Sequence, residues 1–114
     1  MIQLYLSKMN FDTQKAVRFF KERGIQTQVM DLKKHKLGAR ELALFARAAG
    51  GAGKLVDRTD KKALSHPLAH MDTASLIEEG LLEHPLFLVS PIIRNGNRVV
   101  IGFDLEALNR LIAD

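Results

Sequence analysis

Residues 2–32 of this chain read as a strand, a helix and a second strand in succession, and that order restricts the fold more than any other feature. Ile2, Leu4 and Leu6 alternate with Gln3 and Tyr5, the period-two pattern of a short strand. A polar loop over residues 7–11 follows, and Asp12 or Thr13 then offers a side-chain oxygen to the free amides of a helix. Ala16, Val17, Phe19 and Phe20 form its apolar face, and Gly24 ends it where a left-handed residue is wanted. Residues 25–32 read as the second strand, around Gln28-Val29-Met30. Two strands joined through a helix are expected to pair in parallel, because parallel neighbours need a long, right-handed crossover.

The remaining elements narrow the choice further. After the solvated Lys33-Lys34-His35-Lys36 loop, residues 39–49 form an alanine-rich helix carrying Leu42, Leu44 and Phe45. Gly50-Gly51-Ala52-Gly53-Lys54 breaks it. A phosphate-binding loop would require glycine where this chain has Ala48 and serine or threonine where it has Leu55, so that motif is excluded. Asp57-Arg58-Thr59 leads into a short polar helix that stops before Pro67. Asp72 or Thr73 caps another helix, with Ala74, Leu76, Ile77 and Leu81 inward and its end between Gly80 and Pro85. The apolar run over residues 86–89 is interrupted by Pro91; Ile92 and Ile93 then lead into Asn95-Gly96, a strong hairpin-turn signal, and Val99-Val100-Ile101 returns. A last helix turns Leu105, Leu108, Leu111 and Ile112 inward. The order is β-α-β, a helical insert at about 39–83, then β-β-α. That is a single α/β domain over residues 1–114 with thioredoxin-like architecture and a mixed, four-stranded sheet.

Composition decides which chemistry such a domain can hold. The chain has no cysteine, which removes disulfides, thiolate zinc sites, iron–sulfur clusters and any cysteine nucleophile. No apolar run approaches the ~18 residues that span a bilayer. The opening segment has no basic stretch before a long apolar one, so no signal peptide and no membrane association are expected, and the cytoplasm is the expected compartment. The formal net charge of +4 hides an asymmetry, +7 over residues 1–54 and −3 over residues 55–114. With no basic block and little aromatic interleaving, Lys15, Arg18, Lys21 and Arg23 read as the solvated side of one helix, and no direct nucleic-acid partner is expected. His66 and His70 stand four apart, but Pro67 lies between them and no glutamate accompanies the first, so neither a metal nor any other cofactor is expected.

Several segments in order make the chain resemble the ArsC/Spx family, which pairs glutaredoxin-linked arsenate reductases with Spx-type transcriptional regulators. They are Leu4-Tyr5-Leu6-Ser7, Lys21-Glu22-Arg23-Gly24-Ile25, Val56-Asp57-Arg58-Thr59, the run from Leu82-Glu83-His84-Pro85 through Ser90-Pro91-Ile92-Ile93, and Val100-Ile101-Gly102-Phe103. His84 falls in this match and reads as a structural, hydrogen-bonded residue.

The departures from the family pattern matter as much as the matches. The resemblance places a nucleophilic cysteine at the start of the first helix, where the helix N-terminus favours the thiolate. Here that position is Asn10, the proline two residues earlier is Lys8, and the second cysteine of Spx-like members is Thr13. Of the three oxyanion-binding arginines that the resemblance implies, the first matches Arg58, while Ser90 and Phe103 stand in place of the others. Fork-shaped cationic donors neutralise such an anion, so two of the three are missing. No catalytic residue is assigned.

Ser90-Pro91 resembles the cis-proline loop of thioredoxin folds. A cis bond is therefore expected, either as a retained binding loop facing Asn10 or simply as the shape of the following strand. The loop from Asn10 to Thr13 is open to two readings: a peptide- or anion-binding vestige, or plain helix capping. Asn10, Thr13, Arg58, Ser90 and Pro91 are thus the candidate binding residues. The leading expectation is a catalytically silent member of this family acting through a protein or peptide partner, in one version by Spx-like regulation. The alternative is an arsenate reductase-like or other oxidoreductase that takes its thiol from glutathione or glutaredoxin.

Overall fold

Leu4 and Tyr5 are both almost fully buried although they point to opposite sides of one strand, so the sheet is covered on both faces. Tyr5 is not the solvent-side residue that simple alternation suggests. The computed structural model describes residues 1–113. Its four strands are β1 (Ile2–Leu6), β2 (Thr27–Asp31), β3 (Ile92–Asn95) and β4 (Arg98–Ile101), in the order β2-β1-β3-β4. β1 pairs with β2 in parallel, Leu4 opposite Val29, and with β3 antiparallel, Leu4 opposite Ile93. β3 and β4 form the hairpin. The mixed sheet and its element order are those of the thioredoxin-like class.

On one face, α1 (Phe11–Glu22) and α5 (Leu105–Ile112) cover the sheet: Ala16, Phe19, Phe20, Leu108 and Leu111 pack on Ile2, Leu4 and Ile93. On the other, α2 (Ala39–Ala49), α3 (Lys61–Ser65), α4 (Ala74–Glu83) and the 3₁₀ turns between them gather Leu42, Phe45, Leu55, Leu68 and Leu81 around Tyr5 and Ile92. No described helix is long and apolar enough to cross a membrane.

Local departures from the sequence reading have identifiable causes. The second strand is shorter than residues 25–32, because the Ile25 amide still closes the end of α1 by donating to the Phe20 carbonyl at 3.0 Å. Leu76 and Leu105 are each half-exposed, since one apolar stripe on α4 and α5 is already filled by Ile77, Leu81, Leu108 and Leu111. α4 ends at Glu83, between Gly80 and Pro85 as expected, which leaves Gly80 inside the helix. A Cβ there would stand 2.7 Å from Leu68 Cδ1, so the absent side chain admits the neighbouring 3₁₀ turn (Pro67–His70). Along the apolar run of residues 86–89, Pro85–Phe87 form a 3₁₀ turn and Leu88 makes an isolated bridge to Val56. The hairpin turns at Gly96-Asn97, one residue later than Asn95-Gly96, with Gly96 in the left-handed region (φ 65°).

Candidate functional site

The N-terminus of α1 meets the loop before β3, and the contact is built around Asn10. Its backbone is extended (φ −74°, ψ 179°), and its side-chain Oδ1 accepts from the Thr13 amide at 2.8 Å. Asn10 is therefore the helix cap, in place of Asp12 or Thr13. Asparagine three residues before Thr13 is an ordinary cap signal that the sequence already carried. The other end of the same amide, Nδ2, donates to the Ser90 carbonyl at 3.1 Å. One side chain thus caps the helix and fastens it to the Ser90–Pro91 peptide, which is cis.

Beneath Asn10 lies a pair of buried hydroxyls. Thr13 Oγ1 stands 2.6 Å from Asn10 Oδ1 and 2.7 Å from Ser90 Oγ, and Ser90 Oγ stands 3.0 Å from the Lys8 carbonyl. Thr13 is wholly buried and Ser90 nearly so. Two hydroxyl protons serve three short contacts, so at most two of the three are hydrogen bonds at once and no hydroxyl proton is left over for an incoming group. The Pro91 carbonyl, in turn, accepts from the Gly102 amide at 2.8 Å. Ser7 Oγ adds a further tie, donating to the Leu88 carbonyl at 2.7 Å.

The cations around this cluster are occupied. Lys8 pairs with Asp57 and lies 3.4 Å from Asp60. Burial pushes the Asp57 carboxyl up, but hydrogen bonds from Lys8 and from the Thr59 hydroxyl and amide outweigh it and hold the group below its ordinary range. Arg58 makes no hydrogen bond to Asn10, Thr13 or Ser90. Its guanidinium donates to the Ala69 carbonyl at 2.8 Å and the Gly53 carbonyl at 3.3 Å, which ties the helical insert together. Phe103 packs against the α1/α5 core, with Lys15 Nζ 5.8 Å from its ring centroid. The structure therefore brings together Asn10, Thr13, Ser90 and Pro91, and leaves Arg58 outside their network.

The same loop exposes two large apolar side chains. Phe11, the first residue of α1, is 81% exposed and Met9 is 57% exposed, on either side of the half-buried Asn10. Elsewhere, His84 stacks on Phe87 with ring centroids 5.2 Å apart, and His66 Nδ1 accepts from the Leu68 amide at 3.0 Å. Among the described residues, no three histidine, aspartate or glutamate side chains are grouped to hold a metal ion.

No family model matches this chain. No curated protein matches it either. Solved structures do. The protein YFFB superposes with a TM-score of 0.82 at 17% identity, covering 98% of this chain and 99% of that one. An arsenate reductase (ArsC) related protein from Brucella melitensis gives a TM-score of 0.68 at 21% identity, covering 96% and 92%. An arsenate reductase from Vibrio cholerae gives 0.76 at 12% identity, covering 98% and 95%. At these identities the likeness establishes the fold, shared over the whole length of each chain.

Proposed function

We propose that this chain is a catalytically silent protein of the ArsC/Spx type that acts in the cytoplasm by binding a protein or peptide partner. The observation that carries this reading is the network of Asn10, Thr13 and Ser90, at positions that the ArsC/Spx resemblance gives to the reaction centre. Its polar atoms bond one another and nearby carbonyls, no thiol is present, Lys8 is paired with Asp57, and Arg58 is turned to the Ala69 and Gly53 carbonyls. Arsenate carries charge that must be neutralised in the transition state, and a side-chain amide with two hydroxyls supplies no compensating charge. The exposed Met9 and Phe11 rim gives a partner an apolar contact beside the rigid loop. Spx-like regulation is one form that such binding takes.

The second reading, an oxidoreductase supplied with thiol by glutathione or glutaredoxin, rests on the arsenate reductases among the similar structures. It would ask Thr13, Arg58 and Ser90 to act by orientation alone.

The binding reading is tested by affinity capture from cells of the source organism with wild-type protein and with Phe11→Ala. A stoichiometric partner held by the wild type and lost by the variant is expected. A wild-type protein that captures no stoichiometric partner overturns it.

A further inference from the structure

A groove of about 470 Å³ runs between α2 and the β3–β4 hairpin, away from Asn10 and Ser90. Arg40, Ala43, Leu44 and Arg47 line one wall, and Arg94 and Asn97 the other. The four α2 residues stand at i, i+3, i+4 and i+7, one stripe of the helix. Leu42 and Phe45 hold the opposite stripe in the core, so this one is fixed toward the groove.

The groove carries a net positive charge, with Arg40, Arg47 and Arg94 set against Glu41. Among the described residues no carboxylate lies within 4.0 Å of Arg40, Arg47 or Arg94. The one acid in the lining, Glu41, is already committed to the Tyr5 hydroxyl at 2.6 Å and the Gly38 amide at 2.9 Å. Arg94 Nε donates to the Gly96 carbonyl at 2.7 Å, which fixes that guanidinium in the wall. Three cations around one concavity repel one another, and an anionic ligand relieves that repulsion.

Spacing narrows the ligand. Arg40 and Arg47 are two turns apart, ~10.5 Å along the axis. On a second helix the same span separates residues i and i+7 of one face. An extended chain covers it in about three residues, whose side chains alternate sides. Ala43 is small enough to let a second helix approach, and Leu44 gives it an apolar contact. We infer that this groove docks an acidic amphipathic helix of the partner, with carboxylates at i and i+7 on Arg40 and Arg47 and an apolar side chain between them against Ala43 and Leu44. This rests on the binding function proposed above and assigns it a second surface with its own chemistry.

The test uses fluorescence anisotropy with the full chain and a labelled helical peptide bearing glutamates at i and i+7 and leucine at i+4. An isomer of identical composition has the glutamates at i and i+5. The first peptide is expected to bind ~10-fold tighter than the isomer, and Arg40→Glu/Arg47→Glu is expected to weaken it by at least ~10-fold. Arg47→Gln, with a thermal melt matching wild type, separates lost contact from lost folding. Equal binding of the two peptides, or equal weakening by Lys15→Glu on α1, overturns the inference as general charge attraction. Displacement of the peptide by inorganic pyrophosphate, where sodium chloride of equal ionic strength has no effect, also overturns it and reassigns the groove to small polyphosphates. A cellular partner that Arg40→Glu/Arg47→Glu still captures overturns the groove and leaves the binding function standing. The absence of any partner, with peptide selectivity intact, does the reverse.

Discussion

Asn10 and Ser90 are 80 residues apart in sequence and are joined by a 3.1 Å hydrogen bond from the Asn10 amide to the Ser90 carbonyl. The other half of that amide caps α1, so one side chain fixes both the helix and the loop. Removing it with Asn10→Ala is expected to cost about 1–3 kcal/mol, a lost cap plus an unpaired carbonyl, read from urea denaturation midpoints. Asn10→Asp keeps the cap acceptor but cannot donate to Ser90, and should fall between wild type and alanine.

The Thr13 and Ser90 hydroxyls touch at 2.7 Å and each orients the other's proton, so their contributions should not add. Thr13→Val and Ser90→Ala combined in a double-mutant cycle are expected to show a coupling of about 0.5–2 kcal/mol. Additive effects would mean that the 2.7 Å contact between them carries no energy.

Asp57 is nearly buried against Lys8, and its carboxyl titrates below the ordinary value of 3.8 in the folded protein. The unfolded chain therefore takes up the proton first as pH falls. The stability from this group is present above the unfolded value and is lost as pH drops through the folded one. Asp57→Asn should lower stability by about 1–3 kcal/mol at neutral pH and flatten the acid limb of the stability curve. A variant whose acid limb matches wild type would contradict this.

Tyr5 gives the opposite sign. Burial and the hydrogen bond to Glu41 push its phenol up to about 12, from 10.0. The unfolded chain ionises first here, so stability present below about pH 10 is lost between there and about pH 12. As Tyr5 is the chain's one tyrosine and tryptophan is absent, phenolate absorbance near 295 nm reports it directly. Its midpoint should lie near 12 or coincide with alkaline unfolding. A folded protein titrating near 10 would contradict the burial of Tyr5.

Much of this fold was legible from local pattern. The strand–helix–strand start, the helix over residues 39–49 and the hairpin all declare themselves through periodicity and glycine placement. Patterns that depend on partners distant in sequence did not. Tyr5 reads as a polar-side residue until α2 is known to cover that face, and Leu76 and Leu105 read as core until the stripe beside them is seen to be full. Around the site, the resemblance to the ArsC/Spx pattern singled out Asn10, Thr13, Ser90 and Pro91 as candidates. Their mutual bonding, and the pull of Arg58 toward Ala69 and Gly53, appear only when residues 8, 58 and 90 are placed in space. The groove of Arg40, Arg47 and Arg94 left no sequence signal, because Arg94 lies 47 residues or more from the others and joins them only through the hairpin.

Asn10 sits at the positive end of the α1 dipole. Asn10→Cys places a sulfur where free amides and the α1 dipole favour an anion, and no other cysteine confuses the signal. Its pKa, from the pH dependence of iodoacetamide alkylation, should fall below the ~8.5 of a free thiol. A value at or above that figure would show that Asp12 beside it cancels the helix field.

The claim that the reaction has been lost is tested most directly by arsenate turnover of the wild-type protein with glutathione and glutaredoxin supplied. The Asn10–Thr13–Ser90 network predicts a rate equal to that of the protein-free mixture. A rate above that control, abolished by Thr13→Val or Ser90→Ala in a protein that still melts cooperatively, would contradict it.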